Sequence, residues 1–283
     1  MKLSKSIKRI ALRYNAIKKH PLTKKAPLKG LFRYLLFNAS QKINKKPKVF
    51  NWIQGLKFYA QKGDAGLVGN IYYKLMDYED SMFIIDHLSK NDTFVDVGAN
   101  LGHYTMLASG ICKAKSIAIE PIQSTIKKLE RNIALNKLEQ QVTILNCGVG
   151  DKKGTLNFTT DRTVMNSVAL KESSTTTKVD VRTLNDILEN ENPTCIKIDV
   201  EGYEYNVLKG ATTILSKPSL KYLLLEFNNS GAKFNITDDT VFNEILSYNF
   251  KPIRYNVETK KMIPIESYNT DKFNTLFFRE TTV

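Results

Sequence analysis

The segment Asp96-Val-Gly-Ala-Asn-Leu-Gly102 brings a carboxylate, two glycines and an asparagine close together. Phe94, Val95 and Val97 read as a short buried strand, Gly98–Gly102 as the tight turn after it, and His103–Cys112 as the start of a helix. A strand that runs through a glycine turn into a helix can hold a nucleotide-like ligand. Glycine admits close backbone approach, and a helix start offers free N–H groups. Lys115–Ile119 is a second apolar strand, and it ends at Glu120-Pro121. A carboxylate at that place can accept hydrogen bonds from two ribose hydroxyls.

Two ligands suit this arrangement: a dinucleotide such as NAD, and S-adenosylmethionine. The turn discriminates between them. The dinucleotide fingerprint is G-x-G-x-x-G, whose middle glycine lets the backbone approach a pyrophosphate. Here Asn100 stands between Gly98 and Gly102. The carboxylate of Asp96 would repel a pyrophosphate, whereas it suits the ammonium and sulfonium of S-adenosylmethionine. The residues favour the methyl donor. An NAD-dependent oxidoreductase is the rival enzyme, and an idle scaffold that keeps the fold is the rival from another class.

A second group lies in Ile196-Lys-Ile-Asp-Val-Glu-Gly202. Asp199, at a strand end, is the candidate catalytic residue: it could orient or deprotonate an acceptor hydroxyl. Glu201 is either a second site carboxylate or the cap of a helix starting near Tyr203. His103 is a more distant candidate base, with a helix-surface position as its alternative. Asn166 and Ser167 could belong to a lid or to an ordinary surface loop. Acids are present, but no ligand set supports a metal, so none is expected.

The elements that must position these groups alternate along the chain. Strands at Val142–Leu145, Cys195–Ile198 and Tyr222–Leu225 follow the first two, with amphipathic helices at Ser124–Asn136, Tyr203–Leu215 and Val241–Tyr248. Such alternation implies a mainly parallel sheet covered on both faces, with ligands outside the carboxyl ends of the strands. Asp96, Glu120, Asn146, Asp199 and Glu226 all fall at strand ends. Leu156–Thr159 and Val179–Arg182 read as edge strands or a hairpin around a polar loop. Pro252–Asn256, Met262–Ile265 and Asn274–Arg279 read as late antiparallel strands. Upstream, Gly55–Tyr59 reads as a strand, Gly63–Gly69 as a loop and Asp77–Leu88 as a helix.

Charge divides the chain differently. The first acid is Asp64, and residues 1–63 carry fourteen Lys and three Arg, or +17. The remainder holds 25 bases against 28 acids, so the net +14 belongs to the N-terminal segment. We divide the chain into a basic helical extension and linker, 1–48, and a domain, 49–283. Leu3, Ile7, Ile10, Tyr14 and Ile17 have helical spacing with Lys and Arg between them. A basic amphipathic helix of this kind can lie on an anionic membrane through residues 1–20, or pack on its own domain. No nucleic-acid motif accompanies the charge, so no specific nucleic-acid partner is expected. Lys outnumbers Arg and Ser is sparse, which argues against a transit peptide. Cys112, Cys147 and Cys195 form no CxxC pair. With no run of about 18 apolar residues, they suggest reduced thiols in the cytoplasm, with peripheral contact at the inner membrane face.

The ordered segments Asp96–Thr105, Glu120-Pro121, Arg131–Asn136, Gly148–Asp151, Val181–Leu184 and Lys197–Glu204, then Val207–Gly210, resemble the successive motifs of the FkbM family of S-adenosylmethionine-dependent methyltransferases. Tyr78-Glu79 and Leu225-Glu226 fit as well, so the likeness covers about residues 70–230. It implies a class I methyltransferase fold, Rossmann-like and doubly wound, with seven strands of which one is antiparallel. It implies O-methylation by in-line transfer, often of a sugar or polyketide hydroxyl. By the same resemblance Asp96, Gly98, Asn100 and Gly102 border the methionine part of the donor, Glu120 the ribose, Asn146 to Val149 the adenine, and Asp199 the transferring methyl. His103 departs from the family pattern, where an aromatic or apolar residue is commoner. Acceptor specificity is expected from the region after about residue 230.

Overall fold

The computed structural model describes residues 5–159, 167–169, 173 and 175–280. Two basic helices lead: α1 (Lys5–Lys19) and α2 (Pro27–Ile43). A hairpin of β1 (Lys48–Asn51) and β2 (Lys57–Ala60) follows, then α3 (Ala65–Tyr73) and α4 (Tyr78–His87). The sheet opens with β3 (Thr93–Val97), passes through α5 (His103–Met106) and its continuation as a π-helical turn, Leu107–Ile111, and returns as β4 (Lys115–Ile119). Next come α6 (Gln123–Leu135), β5 (Val142–Leu145), β6 (Gly148–Val149), β7 (Gly154–Thr159) and β8 (Thr176–Arg182). After α7 (Leu184–Ile187) and β9 (Cys195–Ile198) come α8 (Glu204–Lys209), α9 (Thr212–Ser216) and β10 (Tyr222–Glu226). The chain ends with α10 (Asp238–Leu246), β11 (Lys251–Asn256), β12 (Lys261–Pro264) and β13 (Asn274–Phe278).

The main sheet has eight strands in the order β12-β11-β13-β10-β9-β3-β4-β5. β10, β9, β3, β4 and β5 pair in parallel, and β13 inserts antiparallel between β10 and β11. This is the seven-stranded class I arrangement, with β12 added as an edge hairpin on β11. The pairing β7–β8 forms with β6 a separate three-stranded sheet rather than an edge of the main one. The predicted Gly63–Gly69 loop is largely helix α3. A strand at Lys48–Asn51, which begins at the last residue of the expected linker, pairs with β2. The single helix expected over Tyr203–Leu215 is broken into α8 and α9 near Gly210. A Cβ at Gly210 would sit 2.0 Å from the Gly150 carbonyl oxygen, so the helix approaches backbone too closely for a side chain there.

Strand alternation builds two cores. Phe94, Ala118, Cys195 and Leu224 face one layer with α3 to α6, while Val95, Val97, Ile196, Ile198, Leu223 and Leu225 face α7 to α10. The chain leaves β3 toward β4 and β5 on one side, and toward β9 and β10 on the other. Their shared carboxyl end is therefore the topological switch point, where such sheets open a crevice.

The basic extension is packed rather than detached. Ile17 of α1 is fully buried with Tyr34 of α2 and Tyr72 of α3. The Arg13 guanidinium lies 4.9 Å from the Tyr72 ring centre and donates to the Tyr73 hydroxyl at 2.8 Å. Among the described helices none is long and apolar enough to cross a membrane.

Candidate active site

At the switch point the backbones of β3 and β9 converge. Gly98 has φ +79°, and a Cβ there would lie 1.9 Å from the Asp199 carbonyl oxygen. Only glycine suits both the left-handed backbone and the close approach. Asn100 also adopts a left-handed conformation, φ 51°, which Asn tolerates. Gly102, φ 89°, precedes α5, and a Cβ there would press on Leu129.

Most of the turn's own N–H groups are already engaged. Those of Gly98 and Ala99 donate to the Ile119 carbonyl. That of Asn100 donates to Glu120 Oε2 at 3.1 Å, and Ile122 N–H donates to Glu120 Oε1 at 3.1 Å. The turn is thereby tied to the end of β4, and each Glu120 oxygen keeps one acceptor site. Burial pushes the Glu120 carboxyl up to about 7, against the pull of its two backbone hydrogen bonds.

Asp96 sits differently from its expected place. Its side chain is buried and turned toward α5: Oδ2 accepts from the Thr105 N–H at 3.2 Å and the Thr105 hydroxyl at 2.6 Å. It holds the start of α5 instead of lining the cleft. The β3–β9 register pairs Asp96 with Lys197. Lys197 Nζ lies 3.5 Å from Asp96 Oδ1 and 3.1 Å from Asp199 Oδ2, and donates to the Gly98 carbonyl at 3.3 Å. Burial works against the ammonium, but Asp199, Asp96 and then Glu226 outweigh it and raise its pKa, keeping Lys197 charged. Lys197 is a site residue that the motif spacing alone does not single out. A lysine inside the otherwise apolar strand Cys195–Ile198 was the available signal, because such a residue needs carboxylate partners.

Asp199 is about one third exposed and opens into a cleft with Gly98, Asn100, Glu120, Thr125 and Glu201. The cleft continues into an apolar compartment with Val149, Ile119 and Tyr203. The cavity volumes are about 60 Å³ and 20 Å³. Filled ligand sites are typically about 300 Å³ or more; Phe158 lines both compartments. Asn146 lies outside this cleft. Its amide donates to the carbonyls of Glu120 and Pro121 at 3.0 and 2.9 Å and braces their turn. Glu201, φ 55°, lines the cleft, the first of its two alternatives, while Glu204 Oε1 accepts from the N–H groups of Val200 and Gly202 and braces the turn before α8. Burial, then the charges of Asp199, Glu201 and Glu204, raise the Glu226 carboxyl beside them.

His103 is neither on the surface nor poised as a base. It is buried, with Nδ1 accepting from the Asn70 amide at 3.0 Å and Nε2 donating to the Ser81 hydroxyl at 2.9 Å. Ser81 in turn donates to the Met76 carbonyl, which fixes that direction. Burial and then the Lys197 charge push His103 down to about 3, so it is a neutral tie between α3, α4 and α5. Asn166 lies outside the described residues. Ser167 is buried and accepts from Lys233 Nζ at 2.9 Å.

A second cavity, about 360 Å³, lies beside Asp77, Glu79, Asp80, Lys272, Phe273 and Asn274. Tyr104 connects it to Lys197: its ring centre is 5.6 Å from Nζ and its hydroxyl donates to Asp77 at 3.4 Å. Asn274 donates to Asp80 at 3.1 Å, and Lys272 pairs with Glu79. Burial and then the Asp199 charge raise Asp77, while burial and then Asp77 push Asp80 up to about 7.

Residues 96–252 match the Methyltransferase FkbM domain family. The chain belongs to that family. It is 28% identical over 148 residues to the hexuronic acid methyltransferase AglP of Haloferax volcanii, covering 51% of this chain and 59% of that protein. It is 29% identical over 169 residues to the methyltransferase sdnD of Sordaria araneosa, covering 47% of this chain and 65% of that one. The matches thus span less than two thirds of either relative. Among solved structures, TYW2 of P. horikoshii in complex with MeSAdo is similar at 13% identity and a TM-score of 0.45, covering 88% of this chain and 84% of that one.

Proposed function

We propose that this FkbM-family protein is an S-adenosylmethionine-dependent O-methyltransferase that methylates a sugar hydroxyl. The observation that carries the reading is the cleft between Glu120 and Asp199, floored by Gly98. The chemistry of its groups fits the donor. Glu120 retains two acceptor sites for ribose hydroxyls, and the apolar compartment around Val149 and Ile119 suits an adenine. The carboxylates near the cleft suit a cationic ligand. Asn100, Gly98 and Gly102 shape the turn, while Asp96 and Asn146 support it from behind.

S-adenosylmethionine supplies a methyl group already activated by its sulfonium. The chain's own task is to hold an acceptor oxygen near that methyl and keep water away. Asp199 accepts a hydrogen bond from the acceptor hydroxyl and takes its proton. Lys197 fixes the Asp199 carboxylate from below. The cavity beside Tyr104 is the acceptor site in this account, and it draws Lys272, Phe273 and Asn274 from the region expected to set specificity. Phe273 is 70% exposed at its rim and offers a face to a sugar ring. Asp77, Glu79 and Asp80 accept hydroxyl donors, and Lys272 is already paired with Glu79. That lining favours a neutral sugar over a carboxylated one.

AglP, named as acting on a hexuronic acid, supports a sugar acceptor. An idle scaffold would have no need to retain Asp199 and Glu120 on one cleft. Transfer of a labelled methyl from S-adenosylmethionine to glycan fractions tests the reading. Label should enter neutral glycans, and Asp199→Asn should lower kcat by about a hundredfold or more with little change in S-adenosylhomocysteine affinity. Full activity in that variant would remove Asp199 from the mechanism.

A further inference from the structure

A further cavity belongs to neither site above. It measures about 770 Å³ and lies beneath α2, lined by Leu36, Phe37, Phe50, Trp52, Ile53 and Ile71 with Arg33, Lys48 and Lys74 at polar positions. It shares no residue with the donor cleft. The outer face of α2 is also apolar. Leu28, Phe32, Leu35, Leu36 and Ile43 recur at helical spacing, and they are 69%, 64%, 42%, 57% and 90% exposed. Gly30, Tyr34 and Phe37 occupy the buried side of the same helix. Helix packing therefore does not account for the stripe, and contiguous exposed apolar surface marks a binding face.

Charge indicates the partner. Lys24, Lys25 and Lys29 are exposed around the start of the stripe, and Lys42, Lys45 and Lys46 around its end. No acid occurs before Asp64. A second copy would bring the same uncompensated positive charge against it. Nucleic acid would use the lysines but not a row of leucine, phenylalanine and isoleucine. An anionic bilayer satisfies both, with headgroups for the lysines and acyl chains for the stripe.

We propose that α2, rather than the expected residues 1–20, docks the protein on an anionic lipid bilayer, with an acyl chain entering the cavity beneath it. The inward packing of Ile17 leaves α1 less apolar surface to offer. The docking face also adjoins the acceptor cavity. Leu22 and Lys74 line the apolar cavity, while Pro21 and Tyr73 line the polar one. Bilayer docking would hold the polar cavity beside the headgroups.

The full chain should co-sediment with vesicles of phosphatidylcholine and phosphatidylglycerol, not with phosphatidylcholine alone, and high salt should weaken the association. A Phe32→Glu, Leu36→Glu double variant should lose at least about tenfold in partitioning. Its melting temperature and its stabilisation by S-adenosylhomocysteine should stay those of the parent, which separates this proposal from the fate of the methyltransferase reading. Trp52 is the sole tryptophan and lines the cavity, so brominated acyl chains in phosphatidylglycerol vesicles should quench its fluorescence. Equal vesicle binding by parent and variant, or unchanged Trp52 emission, would overturn the proposal. So would failure to bind anionic vesicles together with a dimer that the variant dissolves, since the occupant would then be a second copy.

Discussion

Lys197 connects the residues on which the site depends. It is a buried cation between two carboxylates, and removing it would leave Asp96 uncompensated in the core. Breaking such a pair from one side is costly because the remaining charge stays desolvated. Lys197→Met should therefore destabilise the fold by about 3 kcal/mol, read as a lower urea midpoint. Loss of activity alone, with unchanged unfolding, would contradict that ledger of charges. Glu120 gives a pH signature at the same scale. Its carboxyl is raised by burial to about 7, above its ordinary value of 4.5. A raised acid contributes stability that is complete below the unfolded pKa and disappears as pH climbs through the folded one. Asp80 and Glu204, also pushed up to about 7 by burial, act in the same sense. Above about pH 6.5, where the opposite gain from holding His103 neutral is complete, the melting temperature should fall as pH rises through about 7. In Glu120→Gln the fall should be shallower; an identical slope would mean that Glu120 does not titrate in this window.

At the scale of elements, the β3 turn and the β9 end are one construction. Gly98→Ala would force a Cβ against the Asp199 carbonyl in a backbone conformation that already disfavours it. A loss of at least about 2 kcal/mol should follow in chemical denaturation, with donor binding weakened in parallel. A parent-like variant would show that the two strand ends can separate. Much of this level is legible in sequence. The apolar runs of β3, β4, β5, β9 and β10 are short, bounded by turn residues and separated by helices, so periodicity identifies them directly. Less legible were contacts between distant segments. Asp96 looked like a ligand contact because it stands two residues before the turn glycine. The β9 register reveals Lys197 beside it, and the packing of α5 brings Thr105 against it. His103 reads as a helix-surface residue or a distant candidate base because its partners, Asn70 and Ser81, lie on helices whose packing no local pattern encodes. α3 was missed because Gly66 and Gly69 resemble a loop. Yet a Cβ on Gly69 would collide with Met76, so the glycine serves helix packing.

At the scale of the molecule, the basic N-terminal helices and the methyltransferase sheet meet around Tyr72 and Tyr73. His20 stacks on Tyr73 at 5.1 Å and lines the proposed acceptor cavity. The extension, read from its charge as a separate unit over residues 1–48, thus helps to form a wall of the site. The domain boundary we propose is compositional, with no break in packing between α2 and α3. The whole arrangement depends on one claim, that the cleft between Glu120 and Asp199 holds the methyl donor. Isothermal titration of the full chain with S-adenosylhomocysteine and, separately, NAD tests it most directly, with Glu120→Gln as the matched variant. The account predicts saturable binding of S-adenosylhomocysteine, weakened about tenfold or more in the variant by loss of charge-assisted hydrogen bonds, and no binding of NAD. Saturable binding of NAD with none of S-adenosylhomocysteine, or equal S-adenosylhomocysteine affinity in parent and variant, would contradict it.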